Sequence, residues 1–351
     1  MKQKKIIKED TEKILGANLQ WERFYGKTIL ISGANGYVPA YFVHTFLALN
    51  EKKDANIKVI ALCRSEERGM KRFADYLGRR DFSLWIQDVC EPIEIEEEIH
   101  FFIHGASPAG IFARHEDPVA TFNANVIGCE NMLKLAAKNK CEGFLLLSSV
   151  DIYGSMDTTE RLTESDIGKL DGLNVRNAYS CGKRAAETLC ALYHAKSGIP
   201  VVIVRPFQIV GPGLELDDGR LHIDFIAQML RGSQIVLKSD GSAIRTFLYI
   251  TDAIEGMLTV LQKGESCEAY NVVDEKGEAS VLQLAELMAS LVRDRKIDVV
   301  FDYEKRNTIE VTGALSVVTG NAEKIKKLGW IAHTTLADGA RRMMDYYGLE
   351  V

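Results

Sequence analysis

The chain has 351 residues, 46% hydrophobic and 26% charged, which excludes a disordered chain and leaves room for one large domain or two sharing an interface. Its net charge of −6 gives no general electrostatic reason to bind nucleic acid. Seven cysteines with no C-x-x-C pair argue against a disulfide framework and against a metal site, and a charged start with no run of ~18 apolar residues predicts neither signal peptide nor membrane span, hence a cytoplasmic protein.

Residues 1–25 read as a polar N-terminal extension with helical character, pinned by Trp21, Phe24 and Tyr25. Thr28–Ser32 is a short apolar run ending at glycine, the pattern of a buried strand. A helix is expected over 37–50, a strand over 57–63, a charged helix over 66–77 and a strand over 82–87. A strand at 100–104, a helix over 118–138, a strand at 143–148, a helix over 179–196 and a strand at 200–205 continue the alternation. That rhythm predicts an α/β fold, a Rossmann-type doubly wound parallel sheet over 26–206, with ligands at the C-terminal strand ends. After Pro206 the rhythm changes. Gly211-Pro212-Gly213 is a turn signal, and 207–351 reads as a smaller mixed α/β lobe, mainly for substrate. One helix near 252–262 is expected to return to the large domain, and two more patterns lie at 321–328 and 335–347.

Gly33-Ala34-Asn35-Gly36 sits between the first strand and the first helix. Glycine there permits a tight turn and lets a diphosphate approach backbone N–H groups at a helix N-terminus. Residue 39, where a third glycine gives close helix–strand contact, is Pro39; it is tolerable in a first helical turn but is expected to lose that contact. At the end of the second strand, Cys63 replaces the acidic residue that binds a ribose 2′-hydroxyl, and Arg64 beside it suits a 2′-phosphate. NAD and NADP therefore both remain open. Asp88 ends the third strand within reach of an adenine.

Tyr179-Ser180-Cys181-Gly182-Lys183 places a phenol and an ammonium on one helical face. A phenol near pKa ~10 is a poor base at neutral pH. A neighbouring lysine and an oxidised nicotinamide both favour the phenolate, which makes Tyr179 a usable acid/base toward an alcohol. Ser149, at the end of the 143–148 strand, is placed to orient the reacting hydroxyl. His115, His194 and His222 are isolated and read as structural or surface residues.

The sequence resembles the extended short-chain dehydrogenases/reductases that act on nucleotide sugars, over about residues 26 to 347. The stretches that carry the resemblance are Gly33–Gly36, His104-Gly105-Ala106-Ser107, Asn125–Gly128, Ser148-Ser149 with Ile152-Tyr153-Gly154, and Tyr179 with Lys183. Arg205-Pro206-Phe207, Gly211-Pro212, Arg245–Asp252 and Leu328-Gly329-Trp330 add to it. The resemblance implies that Tyr179 is the acid/base, that Lys183 binds the nicotinamide ribose and tunes Tyr179, and that Ser149 binds the sugar. It implies cofactor contacts at Gly33, Asn35, Gly36, Tyr37, Arg64, Asp88, Val89, Ala106, Ser107, Asn125, Lys183 and Pro206. Substrate contacts are implied at Ser107, Ser149, Tyr179, Gln208, Arg220 and Arg245. Arg245 would clamp the nucleotide diphosphate, a task that suits a guanidinium, and Gln208 stands where an asparagine is common. A homodimer through a four-helix bundle is also implied.

Members of this group oxidise a sugar carbon, usually C4, and differ in what the ketone then does. Dehydratases carry an Asp-Glu pair directly after the catalytic hydroxyl residue; here those places hold Val150 and Asp151. UDP-glucuronate decarboxylases place one acidic residue where Asp151 stands, and 104–108, Asp117-Pro118 with Asn125–Gly128, and 218–220 also look like that subfamily. The leading reading is a UDP-glucuronate decarboxylase-like enzyme with Asp151 in the site. A 4-epimerase, a 4,6-dehydratase, an NADPH-dependent reductase and a silent nucleotide-binding relative remain as alternatives.

Overall fold

A computed structural model describes residues 2–108, 116–156, 158–303 and 317–351; His115 lies outside them. Thr28–Ser32 forms β1, buried at every position. Ile29 and Ile31 face one hydrophobic cluster and Leu30 the other, as do Ile103 and Phe102 in β4, Phe101–His104. The period of two thus feeds two cores, one on each side of the sheet. β2 (Lys58–Cys63), β3 (Phe82–Ile86), β5 (Gly143–Leu147) and β6 (Val201–Pro206) extend it. Every pairing in it is parallel. The order from one edge is β3-β2-β1-β4-β5-β6, and a seventh strand, β10 (Glu268–Val272), lies beyond β6. β10 comes from sequence that reads as part of the smaller lobe, so that lobe's chain re-enters the main sheet.

The N-terminal segment is a helix, α1, Lys2–Leu15, and Trp21 and Phe24 are buried behind it. Its Asp10 is 1% exposed and accepts hydrogen bonds from Arg342 and Tyr249. α2 spans Tyr37–Lys53. α3 covers only Glu66–Arg72, shorter than its charge pattern suggested, because Phe73 turns into the core and is fully buried. α4 (Pro118–Asn139) is N-capped by Asp117, and α5 is Ala178–Ser197. α6 (Leu221–Arg231) belongs to the smaller lobe, and α7 (Ile250–Lys263) packs back on β6 and β5. In the smaller lobe β9 (Ile244–Tyr249) pairs with β7 (Gln208–Val210), β11 (Glu278–Ser280) and β13 (Val317–Val318), while β8 (Gln234–Leu237) pairs with β12 (Asp298–Phe301). Among the described residues no helix is long and apolar enough to cross a membrane.

Candidate active site

The C-terminal ends of β1, β4 and β5 define the site. Gly33 follows β1 with φ +63°, and a Cβ there would lie 2.6 Å from the Ala106 Cα and 2.9 Å from the Gly105 carbonyl oxygen. Only glycine lets these two strand ends approach so closely. Gly36 donates to the Gly33 carbonyl at 2.8 Å, and the Asn35 backbone bonds the Cys63 thiol. The close contact that Pro39 was expected to forfeit is present. The missing Cβ has moved to the other partner: a Cβ on Gly105 would meet the Pro39 ring at 2.6 Å.

Beneath this turn, Ser32 Oγ and His104 Nδ1 lie 2.8 Å apart, and burial lowers the His104 pKa to about 3, which leaves a neutral ring. Asn125, fully buried on α4, donates to Ser107 Oγ at 2.8 Å and to the Thr121 carbonyl at 2.8 Å. Asn125 Oδ1 and His104 Nε2 are buried without hydrogen-bond partners. Such orphans are rare and costly inside a protein. With the glycine-bounded cradle beside them, the residues present fit a nicotinamide dinucleotide.

Tyr179 is the second residue of α5 and Lys183 lies one turn on, with its Nζ 5.7 Å from the Tyr179 ring centroid. Gly182 lets α4 approach here, since a Cβ on it would stand 3.0 Å from Asn125 Cβ. Lys183 is 3% exposed, and its ammonium donates to the Leu147 carbonyl at the end of β5 at 2.6 Å. Burial lowers its pKa to about 8. Ser149, two residues past Leu147, accepts from the Asp151 N–H at 3.1 Å and so caps a short 3₁₀ turn, Val150–Tyr153. Its own hydroxyl proton stays available as a donor. The structure thus gathers Ser149, Tyr179 and Lys183 around one strand end.

Val150 is buried at 7% exposure, whereas Asp151 is partly exposed and interacts electrostatically with Arg245, the second residue of β9. Gln208 opens β7 opposite Phe247 of the same strand, and Pro206 closes β6. Arg220 precedes α6, pairs with Asp218 at 3.2 Å and lies 5.6 Å above the Tyr37 ring. Tyr37 does not turn its side chain to the glycine loop: a Cβ on Gly211 would lie 2.8 Å from its hydroxyl, so the ring is buried under the smaller lobe. Any cofactor contact from Tyr37 is therefore a backbone one. Farther along the sheet edge, Arg64 is exposed after β2, Asp88 accepts from Cys90 N–H at 2.9 Å, and Val89 is buried against Gly128. Sequence reasoning missed a buried group behind the site. Arg205 of β6 forks onto Glu187 of α5, which also accepts the Ser148 hydroxyl.

The family described as the NAD dependent epimerase/dehydratase family matches residues 29–273. The chain belongs to that family. UDP-glucuronic acid decarboxylase 6 of Arabidopsis thaliana is 32% identical over 325 residues, covering 92% of this chain and 89% of that protein. UDP-glucuronic acid decarboxylase 1 of Danio rerio is 28% identical, covering 93% of this chain and 73% of its own length. Among solved structures, UDP-glucuronic acid 4-epimerase of Bacillus cereus, bound to UDP-glucuronic acid and NAD, superposes with TM-score 0.75 at 21% identity, covering 91% of this chain and 98% of its own. dTDP-glucose 4,6-dehydratase of Bacillus anthracis, with NAD, gives 0.74 at 22% identity, covering 92% and 96%. The likeness to these solved structures is one of fold; the reaction is decided by side chains around it.

Proposed function

We propose that this protein decarboxylates a UDP-glucuronate-type nucleotide sugar by transient oxidation at C4, using NAD that is regenerated in each turnover. The observation that carries this reading is the whole-length likeness to UDP-glucuronic acid decarboxylases, joined to a site with one carboxylate, Asp151, where a dehydratase carries two. Val150 has no proton to give a leaving hydroxyl and is buried besides, which disfavours dehydration.

NAD held in the cradle after β1 would supply the hydride acceptor for sugar C4 and the hydride for the later reduction. Tyr179 takes the 4-hydroxyl proton as the C–H bond breaks. The Lys183 ammonium, held on the Leu147 carbonyl, favours the phenolate form of Tyr179. Ser149 donates to the sugar oxygen, and its backbone-anchored turn fixes the donor. The C5 carboxylate is then β to a ketone, so the C5–C6 bond breaks and leaves CO₂ and an enolate. A proton taken up from water at C5, and the Tyr179 proton returned to the C4 oxygen as that carbon is reduced, yield the pentose. Arg245 and Arg220 bind the substrate phosphates, and Asn125, Ser107 and Ala106 would hold the nicotinamide end of the cofactor. Asp88, Val89 and Arg64 would hold the adenine end.

Incubation with UDP-glucuronate tests the reading. Release of CO₂ with UDP-xylose is expected. Formation of UDP-galacturonate would install a 4-epimerase instead, and stoichiometric consumption of NADPH a reductase; no product would defeat the proposal. We further propose a homodimer formed through α4 and α5, whose outer faces expose Val119, Phe122, Ile127 and Leu192. Seven free thiols support a reducing compartment.

A further inference from the structure

Glu187 stands one helical turn beyond Lys183 and two beyond Tyr179 on α5. Its side chain is 14% exposed. One oxygen accepts the Ser148 hydroxyl, and the two oxygens take the Arg205 guanidinium as a fork, Nε to Oε1 at 3.0 Å and Nη2 to Oε2 at 2.7 Å. Arg205 lies 5.2 Å over the Tyr153 ring and donates to the Tyr153 hydroxyl at 3.2 Å, and Tyr153 donates to Asn271 of β10 at 2.6 Å. One carboxylate therefore ties α5 to the ends of β5 and β6. Ser148, the residue it grips, lies directly between Leu147, which holds the Lys183 ammonium, and Ser149.

We propose that Glu187 is a positioning residue for the Tyr179–Lys183 pair, fixing the Leu147–Ser149 strand end against α5 and balancing the Arg205 charge so that Lys183 stays an ammonium. This rests on the site reading given above. The groups facing Lys183 are Tyr179, Glu187 and Cys190 on its own helix, Cys129 on α4 and His104 on β4, with Arg205 on β6 behind Glu187. Burial disfavours the ammonium; the Glu187 carboxylate acts the other way. Without the Glu187 carboxylate, an uncompensated guanidinium would stand behind a buried ammonium. Lys183 would release its proton at lower pH, and Tyr179, with a neutral neighbour, would titrate higher.

The test uses Glu187→Gln, Glu187→Asp and Ser148→Ala in the NAD-bound protein. Two readouts are followed: the pH profile of UDP-glucuronate turnover, and the tyrosinate absorbance of each variant minus that of the same variant carrying Tyr179→Phe. For Glu187→Gln the alkaline limb of the profile moves down by about one pH unit, and the Tyr179 titration moves up. Glu187→Asp restores both. Ser148→Ala, which keeps both charges, lowers kcat by about three- to tenfold with KM unchanged and leaves the limb in place. If Glu187→Gln does not fold, Ser148→Ala decides alone, and wild-type kcat there overturns the proposal. Limbs and tyrosinate titration unmoved in a folded Glu187→Gln, with activity lost only in proportion to unfolded protein, would overturn it as well. Turnover retained by Tyr179→Phe in the wild-type background would instead defeat the site reading on which the proposal stands.

Discussion

Replacing Lys183 with methionine should make the nucleotide-free protein more stable at pH 7 while destroying turnover. Lys183 is 3% exposed, and burial moves its pKa from 10.5 to about 8. At about 1.4 kcal/mol per pH unit, carrying the charge inside the fold costs about 3 kcal/mol. The bond to the Leu147 carbonyl is lost on substitution, and leaving that acceptor unpaired costs about 1–2 kcal/mol. The expected net gain at pH 7 is about 1–2 kcal/mol. The sign with pH follows from linkage. Below pH 8 lysine is protonated in both the folded and the unfolded chain, so the penalty is full and constant. Between pH 8 and 10.5 the folded lysine has lost its proton while the unfolded one keeps it, so the wild type gains stability as pH rises. Urea unfolding of both proteins at pH 7 and pH 9.5 should therefore show a methionine advantage that shrinks or reverses at the higher pH. A constant difference between the two would refute the buried-charge argument, because every other titrating group is common to both proteins.

Tyr179→Phe should lower turnover by about 10²–10⁴-fold, the usual worth of a positioned acid/base, while fluorescence titration with NAD shows unchanged affinity; a loss of less than tenfold would place the proton transfer elsewhere. Gly33→Ala meets both a left-handed φ of +63° and backbone atoms of residues 105 and 106 at 2.6–2.9 Å. A drop in stability of about 2–4 kcal/mol in urea, with loss of copurifying NAD, is expected; a variant that keeps wild-type stability would mean that the strand ends do not approach as described.

Much of the site is legible in the sequence because its signals are local. The apolar run 28–32, the glycines after it and the four-residue step from Tyr179 to Lys183 each lie within one element, where a period of two or 3.6 suffices to place them. What escaped reading depends on contacts between distant segments. The partner of Pro39 is Gly105, 66 residues away, and no local rule pairs a helix proline with a strand-end glycine. Glu187 looks like one more charge on a helix until Arg205 and Ser148 are seen to converge on it. Tyr37 follows the glycine loop in sequence, yet its ring leaves that loop because Gly211 opens a space for it in the other lobe. α3 stops early for a related reason: the charge pattern runs on, but Phe73 is fully buried in the core against Tyr76 and Phe82.

The seventh strand has a consequence for how the protein is made. β6 is buried along nearly its whole length, and among the described residues its outer edge pairs with β10, which begins at Glu268. A ribosome that has emitted the first 206 residues has delivered a dinucleotide-binding half whose last strand still shows an open, valine-rich edge, the kind of ladder that recruits other chains. The nascent protein must shield that edge until some sixty more residues emerge. A fragment cut at the apparent domain boundary would carry the same exposed edge permanently, and would aggregate rather than survive as an independent nucleotide-binding module.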